Sequence, residues 1–360
     1  MPVVQIEKAR LSKLEALRGA AAVYVLAYHL VRARLGIEKG LLSFVFSFGQ
    51  EAVILFFLLS GFVIYFSFST GQDKSFAGYF RRRWLRIYPI LFVALFISWY
   101  FCQNQILKTD WLTLLGNLCM LQDFSGAKPG VLVNAYCGNV PLWSLSYEWW
   151  FYMLFFPIYN YIKPPKQQWV AISIAFVGLV SGLVWPNQLS RFAAYFVIWW
   201  AGAEMARTYL SSTPLTFYSQ RVSMFALLVF IACLSLSVAF WIQHGLKIVY
   251  GLHPVLELRH FVAALLLMAA GISWARARWI FFEPTMGWFK VVAPYSYALY
   301  ILHHPVAISS HWLPVSLPAG LQVVLPIVAA LLLAYFIEAY YQPGFKKVFV
   351  YFFLASRREK

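Results

Sequence analysis

Arg18 and His29 stand eleven residues apart in the run Leu17-Arg18-Gly19-Ala20-Ala21-Ala22-Val23-Tyr24-Val25-Leu26-Ala27-Tyr28-His29. Eleven helical steps rise about 16 Å and return to within about 20° of the starting direction, so the two side chains share one helix face. A histidine titrates near neutral pH and suits general-base work. The plainer alternative is a snorkelling arginine and a packing histidine. A second group lies in Arg81-Arg82-Arg83-Trp84-Leu85-Arg86-Ile87-Tyr88-Pro89. Arg83 and Arg86 are three apart and face one way on a helix, where two guanidiniums could grip phosphates. The alternative is a basic anchor at the membrane surface, and Pro89 is expected to interrupt the helix locally. A third group is Leu142-Trp143-Ser144-Leu145-Ser146-Tyr147-Glu148. Glu148, an acid among aromatics, could bind a hydroxyl, orient His29 or carry a proton; a structural ion pair is the alternative. His303 and His304 follow in Tyr295-Ser296-Tyr297-Ala298-Leu299-Tyr300-Ile301-Leu302-His303-His304-Pro305, and Glu338 lies later in the chain. Adjacent helical residues point about 100° apart, so at most one of these histidines need face a site.

The elements that position these groups must be membrane helices. The 360 residues are 62% hydrophobic and only 12% charged, with a mean hydropathy of +0.68. Soluble chains carry roughly 25% charged residues. This excludes a cytosolic globular enzyme, a disordered chain and a disulfide-stapled miniprotein. The net charge of +16 reads as membrane-flanking Lys and Arg rather than a nucleic-acid surface. The 19% aromatic content fits interfacial belts and buried helix contacts. The fold expected is all-α and polytopic, with about ten spans at 17–34, 42–68, 86–103, 145–162, 168–185, 190–207, 223–242, 256–274, 292–312 and 319–340. With both termini in the cytoplasm, only Arg32, Arg34, Lys39, Lys108, Lys128, Arg191, Lys247 and Arg259 of the 29 Lys and Arg residues fall outside. No cleavable signal peptide is expected. Residues 1–345 read as one transmembrane domain, and 346–360 as a basic cytoplasmic tail.

The longest connection, about 104–144, carries Trp111, Leu114, Leu115, Leu118 and Phe124 and is expected to form a cap or short re-entrant elements on the outer side. Cys119 and Cys137 lie there, and spacing alone does not establish whether they pair. No CxxC occurs among Cys102, Cys119, Cys137 and Cys233, so no metal site is expected.

Taken together, Leu14-Glu15-Ala16-Leu17-Arg18-Gly19 with His29, Arg83-x-x-Arg86, Trp143-Ser144-Leu145-Ser146-x-Glu148, Ser296-Tyr297-x-Leu299-Tyr300-x-x-His303 and the late Glu338 resemble the membrane acyltransferase-3 family. That family includes O-acetyltransferases of bacterial O-antigens and other surface glycans. Glu15 stands where the family often has Asp. The resemblance implies a cytoplasmic acyl-CoA donor, usually acetyl-CoA, no metal, and an acceptor hydroxyl on a cell-envelope or exported carbohydrate such as lipopolysaccharide. It also implies that Arg18 and His29 are essential, with Arg83 and Arg86 at the donor, and by family habit a location in the bacterial inner membrane. Glu148 is assigned to the catalytic group on the acceptor side. Trp143, Ser146 and His303 stand as substrate-binding candidates. Many relatives carry a fused outer hydrolase-like domain; none is read here, so an outer partner is expected to be a separate chain. His29 is expected to act as general base or as a transient acyl carrier, and the residues leave both open. Arg18 or a nearby donor would stabilise the oxyanion. A transporter or flippase whose charges line a substrate path is the alternative function, and a non-catalytic membrane scaffold a third. Acyl-CoA turnover dependent on His29 separates them.

Overall fold

The computed structural model describes residues 3–103, 110–309, 312–314 and 316–358, with side chains described over 11–102, 110–309, 312–314 and 316–351. In chain order the helices are α1 (Val3–His29), α2 (Gly40–Val45), α3 (Gly49–Thr70), α4 (Phe76–Gln103), α5 (Trp111–Leu118), α6 (Trp143–Tyr161) and α7 (Lys166–Val184). They continue as α8 (Gln188–Leu210), α9 (Arg221–Gln243), α10 (Val255–Arg276), α11 (Phe282–Met286), α12 (Ser296–His303), α13 (Ala319–Phe336) and α14 (Gln342–Arg358). Wider π-helical turns extend α1 over Leu30–Arg34, follow α12 over His304–Ile308, and join α13 to α14 over Ile337–Tyr341. Among the described residues the chain is thus all-α apart from one short parallel ribbon, Gln122–Asp123 (β1) with Val133–Asn134 (β2).

Seven segments among the described residues are long and apolar enough to cross a bilayer: Leu11–Arg34, Gly40–Thr70, Phe76–Cys102, Lys166–Val184, Arg221–Gln243, Val255–Arg276 and Ala319–Tyr351. The expected spans at 145–162 and 190–207 are helices too, α6 and α8, but they are not among these seven. The reason is position. Of the 23 residues of α8, 17 are buried, because α8 runs through the middle of the bundle between α3 and α7. A helix enclosed by protein tolerates Arg191, Glu204 and Arg207, which a lipid-facing helix does not. The expected span at 292–312 is not one helix. It is a 3₁₀ turn at Ala293–Tyr295, then α12, then a π turn. The last apolar segment continues to Tyr351, so the boundary expected at 345 falls inside α14.

The α3–α8 crossing depends on glycine. A Cβ on Gly61 would strike the Trp199 carbonyl, and one on Gly202 would strike the Leu58 carbonyl. Each helix therefore seats its backbone against the other at the other's glycine. Around this crossing, Phe57, Phe151, Phe155, Phe196 and Trp199 form the centre of the buried core.

Pro89 does not interrupt α4, contrary to expectation; the helix runs through it. A proline leaves the carbonyl four residues earlier without its donor. Here the Gln342 amide donates to the carbonyls of Leu85 (3.4 Å) and Arg86 (2.9 Å). Pro326 in α13 is handled similarly, with the Arg34 guanidinium donating to the Gln322 carbonyl at 3.1 Å.

The expected cap occupies 110–142. Asp110 caps α5 through the amides of Leu112 (3.0 Å) and Thr113 (3.2 Å), and the Thr113 hydroxyl also donates to it. These donors hold the Asp110 carboxyl below the usual carboxylate range. Asn117 then ties α5 to the Asn134 carbonyl (2.9 Å) and accepts from the Tyr136 amide (3.1 Å). Cys137 lies against the buried thiol of Cys102 at the end of α4, and Cys119 is exposed; all these thiols are free. Residues 104–109, including Lys108, lie outside the described residues.

Candidate active site

The shared face of α1 is where the polar groups collect. At one end, the Arg18 guanidinium donates to the Ala293 carbonyl at 3.0 Å, and its Nε is buried without a partner. Gly19 permits this approach, since a Cβ there would meet the Phe289 carbonyl. Arg18 lies within electrostatic reach of Arg86, Glu338 and Glu148.

Arg83 and Arg86 do face one way, but their surroundings differ. Arg86 pairs with Glu338 at 2.6 Å, reaches the Gln342 side-chain oxygen at 3.4 Å, and lies 5.2 Å from the Tyr297 ring centroid. Arg83 makes no ion pair among the described residues. Its guanidinium sits 5.8 Å from the rings of both Tyr79 and Tyr152, and its Nε is buried and unpartnered. Arg83 therefore keeps its charge and donors available to a ligand, whereas Arg86 commits its Nη1 and its charge to Glu338.

Glu148 accepts from the Ser60 hydroxyl at 2.7 Å and from the Tyr152 hydroxyl. Ser60 in turn accepts from the Trp199 indole at 3.2 Å. Glu148 is thus oriented by three helices, α3, α6 and α8.

At the other end of the face, His29 closes α1 amid two further imidazoles. Its ring centroid is 5.2 Å from that of His303 and 5.4 Å from that of His304. The expectation that only one of the adjacent histidines need face the site is superseded. Two rings that diverge by about 100° both touch a third ring wedged between them. His303 is fully buried, and its Nδ1 is 3.0 Å from the Leu299 carbonyl. His304 Nδ1 is 3.0 Å from the Ser309 hydroxyl. The His29 ring makes no hydrogen bond among the described residues. Tyr300 lies one turn below, 6.2 Å from the His303 ring, with its hydroxyl 2.8 Å from Ser144 Oγ. Asn139 in the cap donates to the Ile301 carbonyl at 3.0 Å, which ties the cap to α12.

Trp143 and Ser146 belong to a neighbouring cluster. The Ser146 hydroxyl is held by the carbonyls of Gln122 (2.6 Å) and Trp143 (2.8 Å). Trp143 carries the Lys128 ammonium 3.7 Å above its ring and stacks on His260. Lys128 pairs with Asp123 at 2.8 Å, and Asp123 also accepts from the Tyr147 hydroxyl at 2.7 Å and lies 3.5 Å from Arg191. Burial lowers the Lys128 ammonium's proton affinity and Asp123 opposes that shift. This buried network joins β1, α6 and α8 beneath the cap.

Two residues beside the site, Ser60 and Tyr152, and the orientation they give Glu148 are not legible in the sequence. Hydroxyls in apolar runs carry little signal in a chain with 22 tyrosines. Among the described residues, no group of three or more His, Cys, Asp or Glu side chains is placed to hold a metal ion.

An apolar helical bundle enclosing arginines, an acid and three imidazoles defines an integral membrane protein with a buried polar site. Its sequence matches the acyltransferase domain profile over residues 11–353, and the chain belongs to that acyltransferase-3 family. It is also 31% identical, over 170 residues, to the acyltransferase MdmB of Streptomyces mycarofaciens. That match covers 44% of this chain and 42% of the relative, so the alignment spans less than half of either. No solved structure matches.

Proposed function

We propose that this protein is an integral-membrane O-acyltransferase that moves an acyl group, most simply acetyl, from cytoplasmic acyl-CoA to a hydroxyl of a cell-envelope or exported carbohydrate. The observation that carries this reading is the polar face of α1, with Arg18 at one end within reach of Arg86 and His29 between two imidazoles at the other. Arginines suit the phosphates of CoA, and an imidazole suits removal of a hydroxyl proton. In this reading ten passes, counting α6, α8 and the broken α12 segment, put both termini in the cytoplasm of a bacterium whose inner membrane holds the chain. Arg83 and Arg86 then face the compartment that contains CoA, and the C-terminal end of α14 lies on the same side.

The acceptor hydroxyl attacks the thioester carbonyl while His29 takes its proton. The C–S bond breaks, and the CoA thiolate recovers that proton as the free thiol. Arg18, about 16 Å from His29 along α1 and with an unpartnered Nε, belongs to the donor's charged end rather than to the reacting carbonyl. Glu148, held by Ser60 and Tyr152 and within reach of Arg18, belongs in this reading with the arginine end rather than beside His29. The test is thiol release from acetyl-CoA by purified protein with a panel of glycan acceptors. Wild type should release CoA only with an acceptor present, and His29→Ala should lose this release while still binding acetyl-CoA. Unchanged release by the variant removes His29 from the mechanism; failure of wild type to bind any acyl-CoA favours a transporter.

A further inference from the structure

His303 Nδ1 sits 3.0 Å from the Leu299 carbonyl, one turn back along α12. A carbonyl only accepts hydrogen bonds, so Nδ1 carries the proton. A neutral imidazole with Nδ1–H has a bare lone pair on Nε2. That Nε2 is buried, and no group among the described residues donates to it. Unpaired buried acceptors are costly and uncommon, so one placed beside a candidate reacting group calls for a partner. His304 is different: its Nδ1 faces a hydroxyl, which can donate or accept, so its tautomer is not set. The Tyr300 hydroxyl is turned to Ser144. The ring that remains is His29, 5.2 Å away between centroids and without a hydrogen bond of its own.

We propose that His303 is the positioning residue for His29: its bare Nε2 accepts the His29 N–H and so fixes which His29 nitrogen is left unprotonated toward the acceptor hydroxyl. The cause is the i→i−4 bond to Leu299, which locks one tautomer of His303 and imposes the complementary one on its neighbour. During transfer the hydroxyl proton goes to the free nitrogen of His29, and the N–H held by His303 stays in place. His303 itself exchanges no proton. This inference rests on the acyl-transfer reading for its consequence, but its tautomer statement does not.

Two measurements separate those levels. The first is nitrogen NMR of ¹⁵N-histidine-labelled protein in nanodiscs, with His303→Ala to assign the signals. It should show His303 as the Nδ1–H tautomer and His29 as a single tautomer that becomes a mixture in the variant. An Nε2–H signal for His303, or an unchanged His29 signal, overturns the proposal whether or not the protein transfers acyl groups. The second compares CoA release by His303→Ala and His303→Gln. The glutamine oxygen accepts a hydrogen bond but cannot take a proton. His303→Ala should lower kcat by a hundredfold or more, with acetyl-CoA binding and melting temperature near wild type, and His303→Gln should recover at least a tenfold part of that loss. Equal loss in both variants makes His303 a base in its own right and overturns the positioning role. Equal loss of melting temperature and kcat together makes it structural. A wild type with no acyl transfer defeats the functional reading alone.

Discussion

Arg83 and Arg86 look equivalent in sequence, yet their surroundings predict opposite phenotypes. Arg86→Met removes the cation from Glu338, whose side chain is 5% exposed and whose Oε1 already lacks a hydrogen-bond partner. Removing one member of a buried pair costs about 3–5 kcal/mol, because the other charge is left uncompensated. The Arg86 side chain is 31% exposed, so water screens part of the interaction and the lower end applies. The expected loss is about 3 kcal/mol, a roughly 150-fold shift in the folding equilibrium. It should be largely recovered in Arg86→Met/Glu338→Leu, where no orphaned charge remains. Arg83→Met breaks no ion pair and gives up mainly the stacking on Tyr79 and Tyr152, about 0.5–1 kcal/mol. Its charge is committed to no internal carboxylate, so acetyl-CoA affinity should fall by about 1.5–3 kcal/mol, roughly 10- to 150-fold. Denaturant titration in mixed micelles reads the first effect and calorimetric titration with acetyl-CoA the second. A stable Arg86→Met protein, or an Arg83→Met protein with unchanged donor affinity, would refute the division of roles.

Two further outcomes follow from the packing. Gly61→Ala should destabilise the bundle by about 3 kcal/mol, because the obstacle is the Trp199 backbone rather than a movable side chain; an unaltered unfolding midpoint contradicts the close α3–α8 crossing. Mild thiol oxidation of the purified protein should join Cys137 to Cys102, read by peptide mass mapping, and a Cys119–Cys137 link would mean that the cap docks differently on α4.

Much of this architecture was legible because lipid imposes a simple rule on sequence. The segments that meet lipid, such as α9 and α13, carry long apolar stretches and were located readily. The helices packed mainly against protein carry a mixed signal, although the sequence places them as spans all the same. α8 mixes Arg191 and Glu204 with tryptophans because its neighbours, not lipid, solvate it. The interruption of α12 was hidden for a related reason: Pro305 and the adjacent histidines fit either a straight span or a broken one. At the site, Arg18 and His29 could be placed on one face by helical arithmetic alone. The distinct environments of Arg83 and Arg86 could not, since they arise from Glu338 and Gln342, some 250 positions away in the chain. The same limit hid the destination of Trp143 and Ser146, which depends on how the cap folds back over α6.

The three π turns each adjoin a polar group of the site: one begins just after His29, one begins at His304, and one contains Glu338. Each such turn holds one residue more than an α-turn would. It therefore acts as a phase shifter for the sequence, offsetting helix-wheel arithmetic carried across it by about 100°. Deleting a single residue within one would convert it to ordinary helix while the segment beyond keeps its facing, because the wide turn already absorbs the extra residue. These three places can thus gain or lose one residue and re-aim the imidazole or carboxylate in or beside the turn, while the helices on either side keep their packed faces.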